Sequence, residues 1–325
     1  MKEVLKHYQK IFQDEFEKVN FIKFPSELYE PIDYALKTGG KRLRPTLTIM
    51  TCDFYANDYK NAINPAIAIE TFHNFTLVHD DIMDDAPIRR GLPTVYNKYG
   101  TNIAILSGDA MFTKAYEYVT YTDEKKLPLV LKVFNKTARE VCEGQQLDMN
   151  FETIQNISRE QYMEMIHLKT AVLIGACMKI GAILGNASEK EVDAIYEFGL
   201  NTGMVFQLQD DLLDTFGDEK IFGKRIGDDI IDCKKTFLYI VALENLSAKD
   251  KDEFIKIYSD NNIVDSQKIK IITDFFNKAN VMEECKKTML DYHEKAIKAL
   301  PNTGLKLEQQ ETLKEIAESM LVRNL

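Results

Sequence analysis

Two stretches of the chain repeat one arrangement of acids: HDDIMDD at 79–85 and QDDLLD at 209–214. In each, two adjacent aspartates are followed three residues later by another: Asp80, Asp81 and Asp84, then Asp210, Asp211 and Asp214. On a helix, positions four apart lie about 40° apart in projection and one turn apart along the axis, so they share a face. Left alone, such like charges repel by roughly 0.2–0.5 kcal/mol per pair. Carboxylate oxygens in this pattern suit Mg²⁺, which keeps several waters and is completed by phosphate oxygens. Either cluster alone could be a solvated helix end. Both together, each preceded by an apolar run, point to acids presented at the mouth of a cavity.

Small basic groups punctuate these motifs. Lys41, Arg42 and Arg44 sit in TGGKRLRP, and Arg89 and Arg90 in IRRG. Lys224 and Arg225 follow Gly223, and Lys234 and Lys235 follow the Gly227-Asp228-Asp229 turn. Any one of them is an ordinary solvated patch. Together with two matched acidic motifs they suggest a site for two diphosphates, one held through metal and one directly by arginine and lysine.

The elements that must hold these groups are helical. Apolar residues recur at three and four in AIAIETFHNFTLVHDD, AILSGDAMFTKAYEYV and EFGLNTGMVFQLQDDLL. Seven of the eight prolines lie within 25–128, so residues 129–300 contain none. Alternating strands and a G-x-G-x-x-G loop after a strand are absent. Expected boundaries fall at Pro31, Gly39-Gly40 with Pro45, Pro65, Pro87 and Gly217–Gly227, with short turns at Gly185-Asn186 and Pro301-Asn302. No linker or fixed-period repeat is visible. The pattern predicts an all-α fold of ten or more helices in a single domain over 1–325.

The 325 residues carry a net charge of -10 and are 45% hydrophobic, which supports a large core and argues against nucleic acid as the main partner. Five scattered cysteines read as reduced thiols. The N-terminal MKEVLKHYQK lacks the apolar segment of a signal peptide. AVLIGACMKIGAILG, interrupted by Lys179, reads as a buried helix rather than a membrane span. The expectation is a cytoplasmic protein without a membrane span.

The motifs resemble the short-chain trans-isoprenyl diphosphate synthases, the polyprenyl synthetase family of farnesyl and geranylgeranyl diphosphate synthases. The likeness runs through GGKRLRP (39–45), HNFTLVHDDIMDDAPIRRGLPTVY (73–96), LKTA (168–171), FQLQDDLLDTFGD (206–218) and FGKRIGDDIIDCKKTF (222–237). It implies the type I isoprenoid synthase fold, a large helical bundle with a central cavity, usually a homodimer. The implied reaction condenses an allylic diphosphate with isopentenyl diphosphate, with three Mg²⁺ ions.

Carried over by position, Asp80, Asp84 and Asp210 resemble Mg²⁺ ligands. Asp81, Asp211 and Asp214 would support them or bind through water, Asp214 being also counted among the candidate metal residues. Arg89, Lys169, Lys224 and Lys234 resemble contacts to the allylic diphosphate, with Lys169 and Lys224 in the catalytic set. Lys41, Arg44, His73 and Arg90 resemble the isopentenyl diphosphate site. Thr170 and Gln207 would line the place where the allylic cation forms. His79 is expected as a partner of Asp80, and Asp148 and Glu143 as supports at the cavity edge. The family often has glycine before the last basic pair, where this chain has Cys233.

Product length in the family depends on the residues four and five before the first aspartate, here Thr76 and Phe75. A bulky aromatic at the fifth acts as a floor, which implies a C20 product with C15 next. Ideal helix geometry agrees only partly, because Phe75 projects about 140° from Asp80. Two other readings remain. A class I terpene cyclase would normally carry N-D-x-x-S-x-x-x-E where FQLQDD stands. A non-catalytic subunit of a heteromeric synthase would have a decayed acidic motif, and both are intact.

Overall fold

Prolines mark where several helices begin. In the computed structural model, α3 (Leu43–Ala56) and α4 (Ile63–Met83) carry Pro45 and Pro65 in their first turns, where the missing N–H had no helical partner anyway. Pro31 behaves differently from expectation. It lies buried inside α2 (Ser26–Lys37) rather than at a boundary. Only one turn precedes it, so few intrahelical bonds are lost there.

The structure describes residues 2–154, 156–217, 226–260 and 262–321. Before α2 comes α1 (Lys2–Phe16), and after α4 come α5 (Val95–Tyr99), α6 (Thr101–Thr120) and α7 (Leu127–Thr153). Then α8 (Arg159–Ile166) runs through a five-residue π turn, His167–Ala171, into α9 (Val172–Leu184), followed by α10 (Glu189–Phe216). The rest is α11 (Asp228–Ile231), α12 (Phe237–Asn245), α13 (Ala248–Tyr258), α14 (Asp265–Lys278), α15 (Val281–Ala299) and α16 (Leu307–Leu321). The described β structure is one short hairpin pairing Ile88–Arg89 with Leu92–Pro93. Its turn residues Arg90 and Gly91 both have positive φ, the geometry a tight two-residue hairpin requires.

Packing divides the chain into two compact units: Met1–Asn135 with Ala176–Ile195, and Lys136–Gly175 with Tyr196–Leu325. The chain passes between them inside α7, α9 and α10. In the first unit α4 runs along α6 and α3, while α1 covers α3. Phe12, Leu47, Ile49, Met50 and Phe72 fill its core. In the second, α12 packs on α15 and α13 on α14, around Phe198, Phe237, Phe254 and Phe276. The apolar stretch expected to be a buried helix is one. By length and composition Arg159–Leu184 could cross a membrane, but 72% of its most apolar window is buried within the protein.

One polar knot fixes the start of α3. Arg42, in a left-handed conformation at the helix N-cap, is buried and pairs with the equally buried Glu70 of α4. It also donates to the Leu36 carbonyl near the end of α2, and its guanidinium lies 5.3 Å from the Phe16 ring centre. Asn74 donates to the same Glu70 oxygen at 2.9 Å. A buried ion pair adds little net stability, but losing one partner strands the other charge. Arg42→Met is therefore expected to destabilise the protein by about 3–5 kcal/mol, read from urea unfolding midpoints. The double change Arg42→Met with Glu70→Leu should recover most of that loss; a double variant as unstable as the single one would show that the pair itself is the stabilising element.

Candidate active site

In the first unit the acidic motif sits where α4 ends. Asp80 is half-buried on its last turn. Asp84 lies just past the helix as its C-cap, exposed, its N–H donating to the Asp80 carbonyl. Asp81, between them in sequence, points inward and is 3% exposed. Burial raises its carboxyl above the usual carboxylate range, while Arg89 opposes that rise from 2.6 Å. The hairpin thus returns Arg89 to the motif, as a partner of the supporting acid.

The other arginine of the hairpin turns elsewhere. Arg90 donates to the Gly39 carbonyl. A Cβ on Gly40, whose φ is +131°, would lie 3.0 Å from the Arg90 guanidinium. Gly40 thus makes room for this close approach, which joins two motifs that are far apart in sequence. Lys41 follows at the surface, its carbonyl accepting from Gln9 at 3.1 Å. Arg44 Nη1 lies 3.3 Å from His73 Nε2. Burial, and then the charges of Arg44, Arg90, Arg89 and Arg42, hold the His73 imidazole well below its ordinary pKa. The ring is accordingly neutral, with Nε2 able to accept from Arg44. Lys41, Arg44, His73 and Arg90, expected to form one site, are thus gathered around the start of α3 and the middle of α4.

Thr76 and Phe75 diverge, as ideal helix geometry anticipates. Thr76 Oγ1 donates back to the His73 carbonyl at 2.8 Å. The Phe75 ring faces α6, with its centre 5.1 Å from Phe112, 4.8 Å from His79 and 5.7 Å from Phe72. His79 does not serve Asp80 as expected. Its Nε2 lies 3.2 Å from the Ile105 carbonyl and 3.9 Å from Asp109, both on α6. One residue along a helix turns about 100°, which carries it to the other side.

In the second unit the motif lies within α10, which continues to Phe216, so all three acids keep helical geometry. Asp210 is half-buried. Asp211 is buried and accepts from Tyr162 at 2.5 Å and Gln207 at 3.1 Å. Burial and then the charge of Asp229 push its carboxyl up to about 8, against those two hydrogen bonds. Asp214 is buried too, and accepts from the Asp229 backbone N–H at 3.1 Å.

The same unit carries a cleft lined by Asp148, Lys169, Thr170, Gln207, Asp211 and Lys234, among others. Lys169 and Thr170 belong to the π turn, an irregularity common at functional sites. Two glycines make room for it. A Cβ on Gly144 would sit 2.3 Å from the Lys169 backbone nitrogen, and one on Gly203 2.7 Å from the Ala171 Cα. Neither glycine was singled out in the sequence, because a close approach between helices leaves no local pattern. Lys169 Nζ lies 2.6 Å from Asp148, which is therefore a support as expected. Thr170 donates to Gln207 at 2.9 Å. Glu143 is no support. It is exposed and pairs with Arg139 at 3.3 Å on the surface of α7. Lys224 lies outside the described residues.

Cys233, standing where the family often has glycine, has φ +56°. The backbone keeps the left-handed conformation that glycine adopts most readily. Its thiol donates to the Tyr258 carbonyl at 3.0 Å and accepts from the buried Lys268 at 3.1 Å.

Among the described residues no three metal-ligating side chains form a ready-made cage. Mg²⁺ does not need one, since it is bound through one or two carboxylates with water and phosphate oxygens. The oxygen-only donors of both motifs fit that ion.

Comparison with known proteins bears on the family and the fold. Residues 25–276 match the model of the polyprenyl synthetase family. The chain is 41% identical over 248 residues to a short chain isoprenyl diphosphate synthase of Methanocaldococcus jannaschii, 76% of each chain being covered. A crystal structure of a geranylgeranyl pyrophosphate synthase superposes with a TM-score of 0.93 at 40% identity, over 99% of both chains. That of the Corynebacterium glutamicum enzyme, complexed with isoprenyl diphosphate and magnesium, reaches 0.84 at 25% identity, over 99% of this chain and 98% of that one. The fold and the paired acidic motifs define an all-α isoprenoid synthase of type I. The chain belongs to the polyprenyl synthetase family.

The lowered pKa of His73 has a measurable consequence. As pH falls through about 6.5, the unfolded histidine takes up a proton that the folded one does not. Its contribution to stability is thus present above that pH and lost below it. Thermal or urea midpoints measured from pH 7.5 to 5 should fall more steeply for the native protein than for His73→Gln. Parallel curves would mean that His73 takes up its proton equally easily in both states.

Proposed function

We propose that the protein makes geranylgeranyl diphosphate, with farnesyl diphosphate as the next most abundant product, by adding isopentenyl units to an allylic diphosphate. The underlying reaction is Mg²⁺-dependent head-to-tail prenyl transfer, and the enzyme is a trans-prenyltransferase of the geranylgeranyl/farnesyl diphosphate synthase type. The observation that carries the reading is a basic group apart from the acidic motif, with Arg44 at 3.3 Å from a neutral His73 and Arg90 drawn to the Gly39-Gly40 turn beside Lys41. A terpene cyclase binds one diphosphate and has no use for a second, metal-free anion site.

In this reading Asp80, Asp84, Asp210 and Asp214 are the metal ligands, directly or through water, and three ions are bound with the substrate. Bound Mg²⁺ draws electron density from the allylic diphosphate and eases breakage of its C–O bond. Arg89, Lys169, Lys224 and Lys234 balance the charge that gathers on the leaving group. Thr170 donates a hydrogen bond to the Gln207 amide oxygen, and the Gln207 amide nitrogen donates in turn to Asp211. That leaves lone pairs of the Thr170 oxygen for a developing cation. Lys41, Arg44, His73 and Arg90 hold isopentenyl diphosphate while its double bond attacks the cation. The proton then lost from C2 goes to the departing diphosphate. The enzyme acts as a cytoplasmic homodimer.

Phe75 sets product length through its ring, which rests on Phe112 and Phe72. Purified protein given Mg²⁺, dimethylallyl diphosphate and isopentenyl diphosphate is expected to release C20 with some C15 product. Chelation of the metal should abolish turnover. Phe75→Ala should shift the chromatographic profile to longer chains. Native product of C30 or more, or a profile unmoved by the substitution, would remove Phe75 as the stop.

A further inference from the structure

Lys234 and Lys235 are adjacent in sequence, and the ammonium group of the second is taken up by backbone. Lys235 Nζ donates to three backbone carbonyls: Phe151 at 2.8 Å, Glu152 at 3.0 Å and Ile154 at 2.6 Å. An ammonium group has three protons, so this set uses all of them. The acceptors lie at the C-terminal end of α7, 84 residues earlier in the chain for Phe151. Terminal carbonyls there lack helical partners and form the negative end of the helix dipole. Lys235 is thus a cap supplied from a distant turn.

That turn is held on its other side too. The Lys234 N–H donates to the Asp229 carbonyl at 2.9 Å, and the Lys234 carbonyl accepts from the Tyr258 hydroxyl at 2.5 Å. Shortly before its end, the same helix supplies Asp148, which holds Lys169 at 2.6 Å. Two of the four cations assigned to the allylic diphosphate, Lys169 and Lys234, are therefore referenced to one end of α7. Asp148 holds the first by its side chain, and Lys235 holds the second through its backbone neighbour.

We propose that Lys235 is a positioning residue: by tying the 233–236 turn to the end of α7, it sets the spacing between Lys234 and Lys169 that lets both grip one diphosphate. This rests on the reading that Lys169 and Lys234 bind the allylic diphosphate. Neutralising Lys235 leaves the isopentenyl site of the other unit untouched, so the two substrates should respond differently. A residue acting only through its neighbour also leaves a non-additive signature.

The test is steady-state kinetics on the full-length enzyme with Mg²⁺, varying each substrate in turn. Lys235→Met is expected to raise KM for the allylic diphosphate about tenfold, the response to roughly 1.4 kcal/mol, while KM for isopentenyl diphosphate stays constant. Lys234→Met should raise the allylic KM further, and the double variant should be no worse than Lys234→Met alone. Lys235→Arg, which keeps several donors, should restore most of the loss. Lys235→Gln, a milder change, should fall between native and Met and serves if Lys235→Met does not fold. An unchanged allylic KM, an equal rise for both substrates, or a double variant showing the product of the single effects would overturn the proposal. Lys234→Met without effect on the allylic KM would instead overturn the assignment on which it rests.

Discussion

The structure depends on one constraint: carboxylates needed at the ends of buried helices cannot all be left to metal and substrate. The second acid of each adjacent pair is turned into the protein and given partners. Asp81 is held by Arg89, and Asp211 by Tyr162 and Gln207. The first acid of each pair, Asp80 or Asp210, stays half-buried. Buried acids need hydrogen-bonded or charged partners to be tolerated at all. Satisfying Asp81 and Asp211 therefore recruits residues such as Arg89 and Gln207 and fixes where they stand.

The two motifs solve this problem differently. In the first, α4 ends at Met83 and Asp84 becomes an exposed cap. In the second, α10 continues and Asp214 remains buried, accepting a backbone N–H from the Asp229 turn. One acidic spacing thus gives a projecting carboxylate in one place and an anchor for a following turn in the other.

Cations follow the same logic. Arg42 stands between Lys41 and Arg44 yet is buried on Glu70, so one charge of the basic run belongs to the fold. Lys234 and Lys235 divide in the same way, the latter taken by the end of α7. Counting charges in a sequence overstates the anion site, because a share of those charges holds the rest in place. The π turn carrying Lys169 and Thr170 adds a further requirement, that α7 and α10 approach its backbone closely through Gly144 and Gly203.

The sequence by itself determined the class of fold and the helices bearing the acids. These follow from short-range periodicity and from residue types whose chemistry is the same wherever they occur. It also anticipated that Phe75 would face away from Asp80, since the angle between helix positions is fixed by backbone geometry. It misplaced a boundary at Pro31, because one proline near the start of a helix removes too few bonds to end it. It assigned His79 to Asp80 and Glu143 to the cavity edge, where the structure turns the first to α6 and the second to solvent. Only tertiary structure decided which acids are buried, which cations are already taken, and why two glycines flank the π turn. Those outcomes depend on what packs against a residue from far along the chain, and no local pattern encodes that.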